Sequence, residues 1–225
     1  IIIWRYLSLS KLVNLIMTRQ LYLTRLDLLD DPHEGSYPKV NSDRIYAKYS
    51  PEDRKKKLES NLRIRKSLFI NCWRYGNHES EAMWKLYCPN NEGVAIQTTY
   101  QKLRDSLNDK SEYLGLITYL DYETDEFKYG NILYPAMHKR KAFEHENEIR
   151  IVKVDTRYWA DKLPPDLPPP PGGLTSDWDL EKFCYAIYVN PYAPTWYHDT
   201  VKELLTKLNL KTTLKWSKLK TSPFY

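Results

Sequence analysis

The sequence predicts an α+β fold: a single domain over residues 1–225, with a mixed, mostly antiparallel sheet and flanking helices. Three observations predict it. Segments of helical and strand periodicity alternate irregularly, which does not suit the regular succession of a doubly wound parallel sheet. No internal repeat is present. The 225 residues, 42% of them hydrophobic, are enough to bury a core.

The elements follow in order. Ile1 to Tyr6 is an opening strand. Ser8 caps a helix whose apolar face is Leu9, Leu12, Val13 and Ile16. Leu21 to Leu23 is a short strand. It leads to a turn, Asp30-Asp31-Pro32-His33-Glu34-Gly35, where Asp-Pro favours turn geometry. Pro51 at the first helical position, with Glu52 and Asp53 in the first turn, starts a helix over 51–66. Its Arg54, Lys55, Lys56, Lys57, Arg63, Arg65 and Lys66 outnumber its acids. That face is either solvated or in contact with phosphate.

Ser67 to Trp73 is a strand. Asn77 caps a helix over Glu79 to Tyr87, which Pro89 ends. Val94 to Ile96 is a buried strand, and Thr99 to Leu107 a helix. Leu114 to Tyr122 reads as one strand, Tyr134 to Phe143 as a basic helix, and Glu148 to Val154 as a strand. Residues 163–173 form a Pro-rich surface loop, either an extended connector or a docking segment for a protein partner. Tyr185 to Val189 is a strand. Pro194 begins a helix with Tyr197, Val201, Leu204, Leu205 and Leu208 on one stripe. A last strand sets Leu210, Leu214 and Trp216 on one face.

Composition narrows the chemistry. There are only 7 Gly, and neither GxGxxG nor GxxxxGK[ST] occurs, so the glycine-rich phosphate loops are excluded. Aromatic residues reach 14%, with 19 Tyr and 7 Trp. The net charge of +5 permits a nucleotide or nucleic acid partner without requiring one. Cys72, Cys88 and Cys184 show no CxxC spacing and read as free thiols of a reducing, cytoplasmic compartment. Cys72, in an apolar strand, is expected to be inert. No apolar run approaches the roughly 18 residues of a membrane span, so no membrane partner is expected.

Several motifs are familiar in combination. They are Trp4-Arg5-Tyr6, Asp31-Pro32-x-Glu34-Gly35, Asn71-Cys72-Trp73, Glu79-Ser80-x-Ala82-Met83-Trp84-x-x-Tyr87, Gly93-Val94-Ala95-Ile96 and Tyr119-x-Asp121-Tyr122. To these are added Lys139-Arg140-x-x-Phe143-x-His145-Glu146-x-Glu148-x-Arg150 and Val189-x-Pro191-x-Ala193-Pro194-x-Trp196. The chain resembles, nearly end to end, the bacterial family known as domain of unknown function 2971. The resemblance implies a cytosolic bacterial or phage-borne domain and brings no reaction with it. A defence or toxin setting is one expectation.

Candidate chemistry comes from the residues. Asp31 and Glu34 place two carboxylates on one turn. His78, Glu79 and Ser80 sit at a helix start, where exposed N–H groups favour an anion. In a strand, Glu146, Glu148 and Arg150 would share one face, because the strand period is two. His145 precedes them, and Lys139 supplies positive charge nearby. Such a face either meets solvent or lines a polar cleft.

Three functional readings follow. The order Arg5, Ser80, Glu146-x-Glu148 is similar to that of ADP-ribosyltransferases. That similarity implies NAD as substrate, Arg5 on its phosphates and Ser80 on the nicotinamide ribose. Glu148 would stabilise the oxocarbenium ion and Glu146 orient the nucleophile. Tyr6 and Trp73 would stack on the cofactor, with Arg150 beside it. The corresponding strand here reads Asn71-Cys72-Trp73, where that superfamily carries Ser-Thr-Ser. The second reading is a Mg²⁺-dependent nuclease using Asp31, Glu34, Glu79, Glu146 and Glu148, with Lys139 or Lys141 on phosphate. No dedicated metal-ligand spacing supports it. The third is a non-catalytic module that senses a nucleotide or a partner.

Overall fold

A computed structural model describes all residues except Tyr129, Ala160–Leu163, Pro165, Phe224 and Tyr225. The first elements are β1 (Ile2–Ser8), α1 (Leu9–Thr18), β2 (Gln20–Arg25), α2 (Lys39–Tyr46), α3 (Pro51–Lys66) and β3 (Leu68–Tyr75). Then come α4 (Glu81–Tyr87), β4 (Gly93–Thr99), α5 (Tyr100–Ser106), β5 (Glu112–Leu116), β6 (Thr118–Leu120) and β7 (His138–Arg140). The last are β8 (Glu148–Val154), β9 (Gly173–Asp177), α6 (Leu180–Phe183), β10 (Ala186–Val189), α7 (Thr195–Lys207) and β11 (Leu214–Trp216). Short 3₁₀ turns cover Leu26–Leu28, Tyr134–Met137, Lys141–Glu146 and Thr156–Tyr158. The fold is α+β, its sheet mixed and mostly antiparallel, as expected; β10–β11 and β6–β7 are parallel pairs.

The chain forms two compact units. The first comprises Ile1–Leu21, Trp73–Asn108 and Ser176–Tyr225. Its centre is the antiparallel pair β1–β4, which runs from Ile2↔Thr99 to Ser8↔Gly93. The other edge of β4 takes β10, antiparallel, from Ala186↔Gln97 to Val189↔Val94. Ser8 accepts the Lys11 N–H to start α1, which ends at Arg19 in the left-handed region with φ 53°. Along α7, Tyr197, Val201 and Leu205 are buried at four-residue spacing. Trp4, Tyr6, Met83, Trp84, Cys88 and Ala95 form one core cluster. Each large apolar side chain so buried stabilises by about 1.5–3 kcal/mol before entropy is counted.

The second unit comprises Tyr22–Cys72 and Asp109–Thr175. Here β8 pairs antiparallel with β5, from Glu112↔Lys153 to Leu116↔Ile149, and also bonds β3. Thr24↔Ile70 and Arg25↔Phe69 join β2 to β3. Leu26, Leu68, Ile70, Ala136 and Val152 form its core cluster. The Pro-rich loop is tied down where it is described. Arg25 donates to the Pro170 and Pro171 carbonyls, and Tyr158 to that of Pro168. Leu163 and Pro165 of that loop lie outside the described residues.

Four local expectations are corrected. The basic helix expected over Tyr134–Phe143 is a 3₁₀ turn, the strand β7 and a second 3₁₀ turn, because residues 138–140 pair with β6. The strand expected over Leu114–Tyr122 is split at Ile117 into β5 and β6. The cap of α4 is Ser80 rather than Asn77. The final strand is confined to Leu214–Trp216. The helix α2 adds an element the sequence reading lacked.

Candidate polar centre

The second unit holds a buried ionic network around Arg150. This residue sits in the middle of β8 and has no exposed surface. Its neighbours Ile149, Ile151 and Val152 hold the strand in the apolar core. Arg150 Nε donates to Glu148 Oε1 at 2.6 Å, and Nη2 to Glu148 Oε2 at 3.0 Å. Nη1 and Nη2 also grip Glu34, at 3.0 and 3.2 Å. Nη1 further donates to the Ala136 carbonyl at 2.7 Å. A guanidinium has five N–H donors, and these contacts engage them all.

Lys139 completes the centre from β7. Its Nζ lies 2.6 Å from Glu146, 3.2 Å from Glu34 and 3.4 Å from Glu148. Its ammonium therefore meets three carboxylates with three donors. Beside it, Arg140 holds Asp31 through Nε and Nη2, at 3.2 and 2.7 Å. Asp31 also accepts the His33 N–H, which pins the turn of residues 31–35. The Glu148 N–H donates to Tyr119 Oη at 2.8 Å.

The electrostatics follow from burial and charge. Burial opposes ionisation of Glu148, but Arg150 and Lys139 overcome it and hold the carboxyl at about 2. For Glu146 burial wins over Lys139, and its pKa is raised. Burial works against the charge of Lys139 and of Arg150. Their carboxylate neighbours prevail, so both pKa values rise. Burial pushes the Cys72 thiol well up, and the Glu148 carboxylate adds to the effect.

The sequence expectations divide by unit. Asp31, Glu34, Lys139, Glu146, Glu148 and Arg150 are brought together in the second unit. Glu148 and Arg150 share a strand face as expected. Glu146 does not: it ends the 3₁₀ turn before Asn147, whose φ of 45° breaks the strand register, and it joins through Lys139. His145 is exposed. Sequence reasoning missed Arg140 and Tyr119 as members of the centre. The only signal for either was its place in a motif, Arg140 next to Lys139 and Tyr119 three residues before Tyr122.

The remaining candidates lie in the first unit. Tyr6 Oη accepts the Ser80 N–H at 2.8 Å, and burial lifts the Tyr6 pKa to about 12. Ser80 Oγ accepts the Met83 N–H and so caps α4. Glu79 accepts from Trp84 Nε1 at 3.1 Å and from the Lys218 N–H at 3.2 Å. The Arg5 guanidinium carbon stands 5.8 Å from the Trp73 ring centroid. His78 is exposed.

Among the described residues, no helix is long and apolar enough to cross a membrane. A search of curated proteins finds no match to this chain. A model of the family described as "Protein of unknown function (DUF2971)" matches residues 83–151, part of the 225-residue chain, and this bears out the resemblance over the stretch carrying Lys139, Glu146, Glu148 and Arg150.

Proposed function

We propose that this protein is a non-catalytic module that senses a nucleotide-class anion, with the Arg150 network as its scaffold. One observation carries the reading. Glu148 is 2% exposed, and both its oxygens are engaged by Arg150 and Lys139. A transferase needs its glutamate open to the ribose and the developing cation. A carboxylate already committed to two buried cations is an anchor instead. The Mg²⁺-dependent reading meets the same obstacle. Glu34, Glu146 and Glu148 converge on the Lys139 ammonium, which occupies the position a cation would need.

What the network anchors is the backbone. Arg150 joins the turn at Glu34 to the Ala136 carbonyl, so one side chain fixes two loop segments. The excess of Lys and Arg over Asp and Glu, and the basic α3, favour an anionic ligand. The test is NAD incubated with the purified protein and followed by proton NMR, beside thermal melts with NAD, ATP and ADP. The expected result is intact NAD together with a rise in melting temperature for at least one nucleotide. Nicotinamide release by the wild type would overturn the reading in favour of an ADP-ribosyltransferase or NAD hydrolase.

A further inference from the structure

We infer that a cationic cavity in the second unit binds the phosphate chain of a nucleoside di- or triphosphate. The inference rests on the sensing role proposed above and gives that role a site. The cavity measures about 470 Å³, within the roughly 300–1,000 Å³ of small-molecule sites. Its walls come from α2, α3, the turn at Gly35 and residues 130–135. Arg44, Lys48, Lys57 and Arg65 line it, and among the described residues no Asp or Glu does. Arg44 is paired with Glu126 at 2.5 Å. Lys48 and Lys57 have no ion-pair partner among the described residues, although Lys57 is half-buried. A half-buried lysine without a carboxylate suits an anion that arrives from outside.

The helix α3 is turned the wrong way round for packing alone. Lys57, Asn61, Ile64 and Arg65 follow helical spacing and face the cavity. Leu58 and Leu62 of the same helix face solvent, at 50% and 43% exposure. A helix folded only for its core would reverse that assignment. Gly35 makes the wall tight. Its φ is +72°, and a Cβ there would come 3.2 Å from Arg65 Cγ. Absence of a side chain leaves room first for Leu26, whose Cδ2 a Cβ would meet at 2.5 Å, and then for the Arg65 stem.

Two wall atoms specify the ligand further. Among the described residues, Arg65 Nε is buried with no hydrogen-bond partner, and so is Asn61 Oδ1. The first is a donor and asks for an acceptor such as a phosphate oxygen. The second is an acceptor and asks for a donor such as a ribose hydroxyl or a base amino group. A nucleotide supplies both, whereas inorganic polyphosphate supplies only the first. Tyr49 and Tyr37, the latter packed on the Phe127 ring, line the cavity as well, and aromatic walls suit a base.

The test is titration calorimetry with ATP, ADP, adenosine, sodium tripolyphosphate and a short oligothymidylate. ATP and ADP should bind more tightly than the other three. Lys48→Ala and Lys57→Ala should each weaken ATP about tenfold, the effect of one charge-assisted contact. Leu58→Ala, on the solvent side of α3, should leave ATP affinity unchanged. Absence of heat with every probe overturns the inference. So does tripolyphosphate or the oligonucleotide binding as tightly as ATP. Nucleotide binding that survives both lysine substitutions sinks the cavity but leaves the sensing role standing. Breakdown of the bound nucleotide in the calorimeter cell, read by phosphate release, sinks the sensing role while the lysine effects still judge the cavity.

Discussion

Removing one charge from the Arg150 network leaves its partner buried and uncompensated, and that asymmetry sets the cost. Glu148→Gln should lower stability by about 3–5 kcal/mol in urea at neutral pH. Replacing Glu148 and Arg150 together with Gln and Met should recover little of that loss, since buried Glu34 then loses the guanidinium and keeps only Lys139. Equal stability of Glu148→Gln and wild type would mean the glutamate is not an anchor. The pH dependence has a definite sign. Glu148 lies at about 2 against an ordinary 4.5, so its contribution is present above pH 4.5 and lost as pH falls toward 2. By linkage that shift is worth roughly 3 kcal/mol. Glu146 acts oppositely: its raised pKa favours the fold below pH 4.5, and that contribution disappears as pH rises through its folded value. The acid limb of the stability curve should therefore flatten in Glu148→Gln. Cysteine reactivity gives a second check on burial. Burial raises Cys88 and Cys184 to about 12 and Cys72 well above its usual value, so all three thiols are protonated at pH 8. A chromogenic disulfide reagent should label them only after unfolding; rapid labelling of any one in the native protein would contradict this.

Capping tests the role of Ser80 without touching the ionic network. The similarity to ADP-ribosyltransferases put its hydroxyl on a ribose, whereas here it accepts the Met83 N–H at the start of α4. A cap predicts a cost of about 1 kcal/mol for Ser80→Ala and near-complete rescue by Ser80→Thr, read by urea unfolding. A substrate contact predicts neither. At this scale the sequence was most legible where local chemistry decides. The helix α3 spans residues 51–66 as expected, because Ser50, Pro51 and the acids of the first turn act within a few residues. The region 134–143 was misread as a helix for the converse reason. Residues 138–140 follow the pairing of His138 with Thr118 and Arg140 with Leu120, a choice made by a distant partner. Glu146 was placed in the right cluster on the wrong argument, because its 3₁₀ turn and not strand alternation delivers it. The inward stripe of α3 was also illegible. Its lysines invite a solvated reading unless the exposure of Leu58 and Leu62 is known.

Long-range pairing builds both units, and it is what the sequence conveyed least. Irregular alternation of elements was enough for the α+β class, but nothing local announced that β4 would lie between β1 and β10. Each unit is stitched from separated segments, three for the first and two for the second. A cut in the chain therefore does not simply subtract a piece. Ending the protein after Thr175 would remove β10, α7 and β11 together. The edge of β4 from Val94 to Gln97 would lose its ladder, and Tyr197, Val201 and Leu205 would no longer cover the first unit. Val94, Ala95 and Ile96 are fully buried, so the exposed edge would be apolar and prone to pair with other chains. The 1–175 fragment should aggregate during purification and lack a cooperative unfolding transition in its near-ultraviolet circular dichroism. Ending after Leu219 removes no strand or helix among the described residues, and that protein should melt within a few degrees of wild type. A monomeric 1–175 fragment with sharp unfolding would show instead that the first unit's fold does not depend on β10, and the pairing of Val189 with Val94 would then be incidental to it.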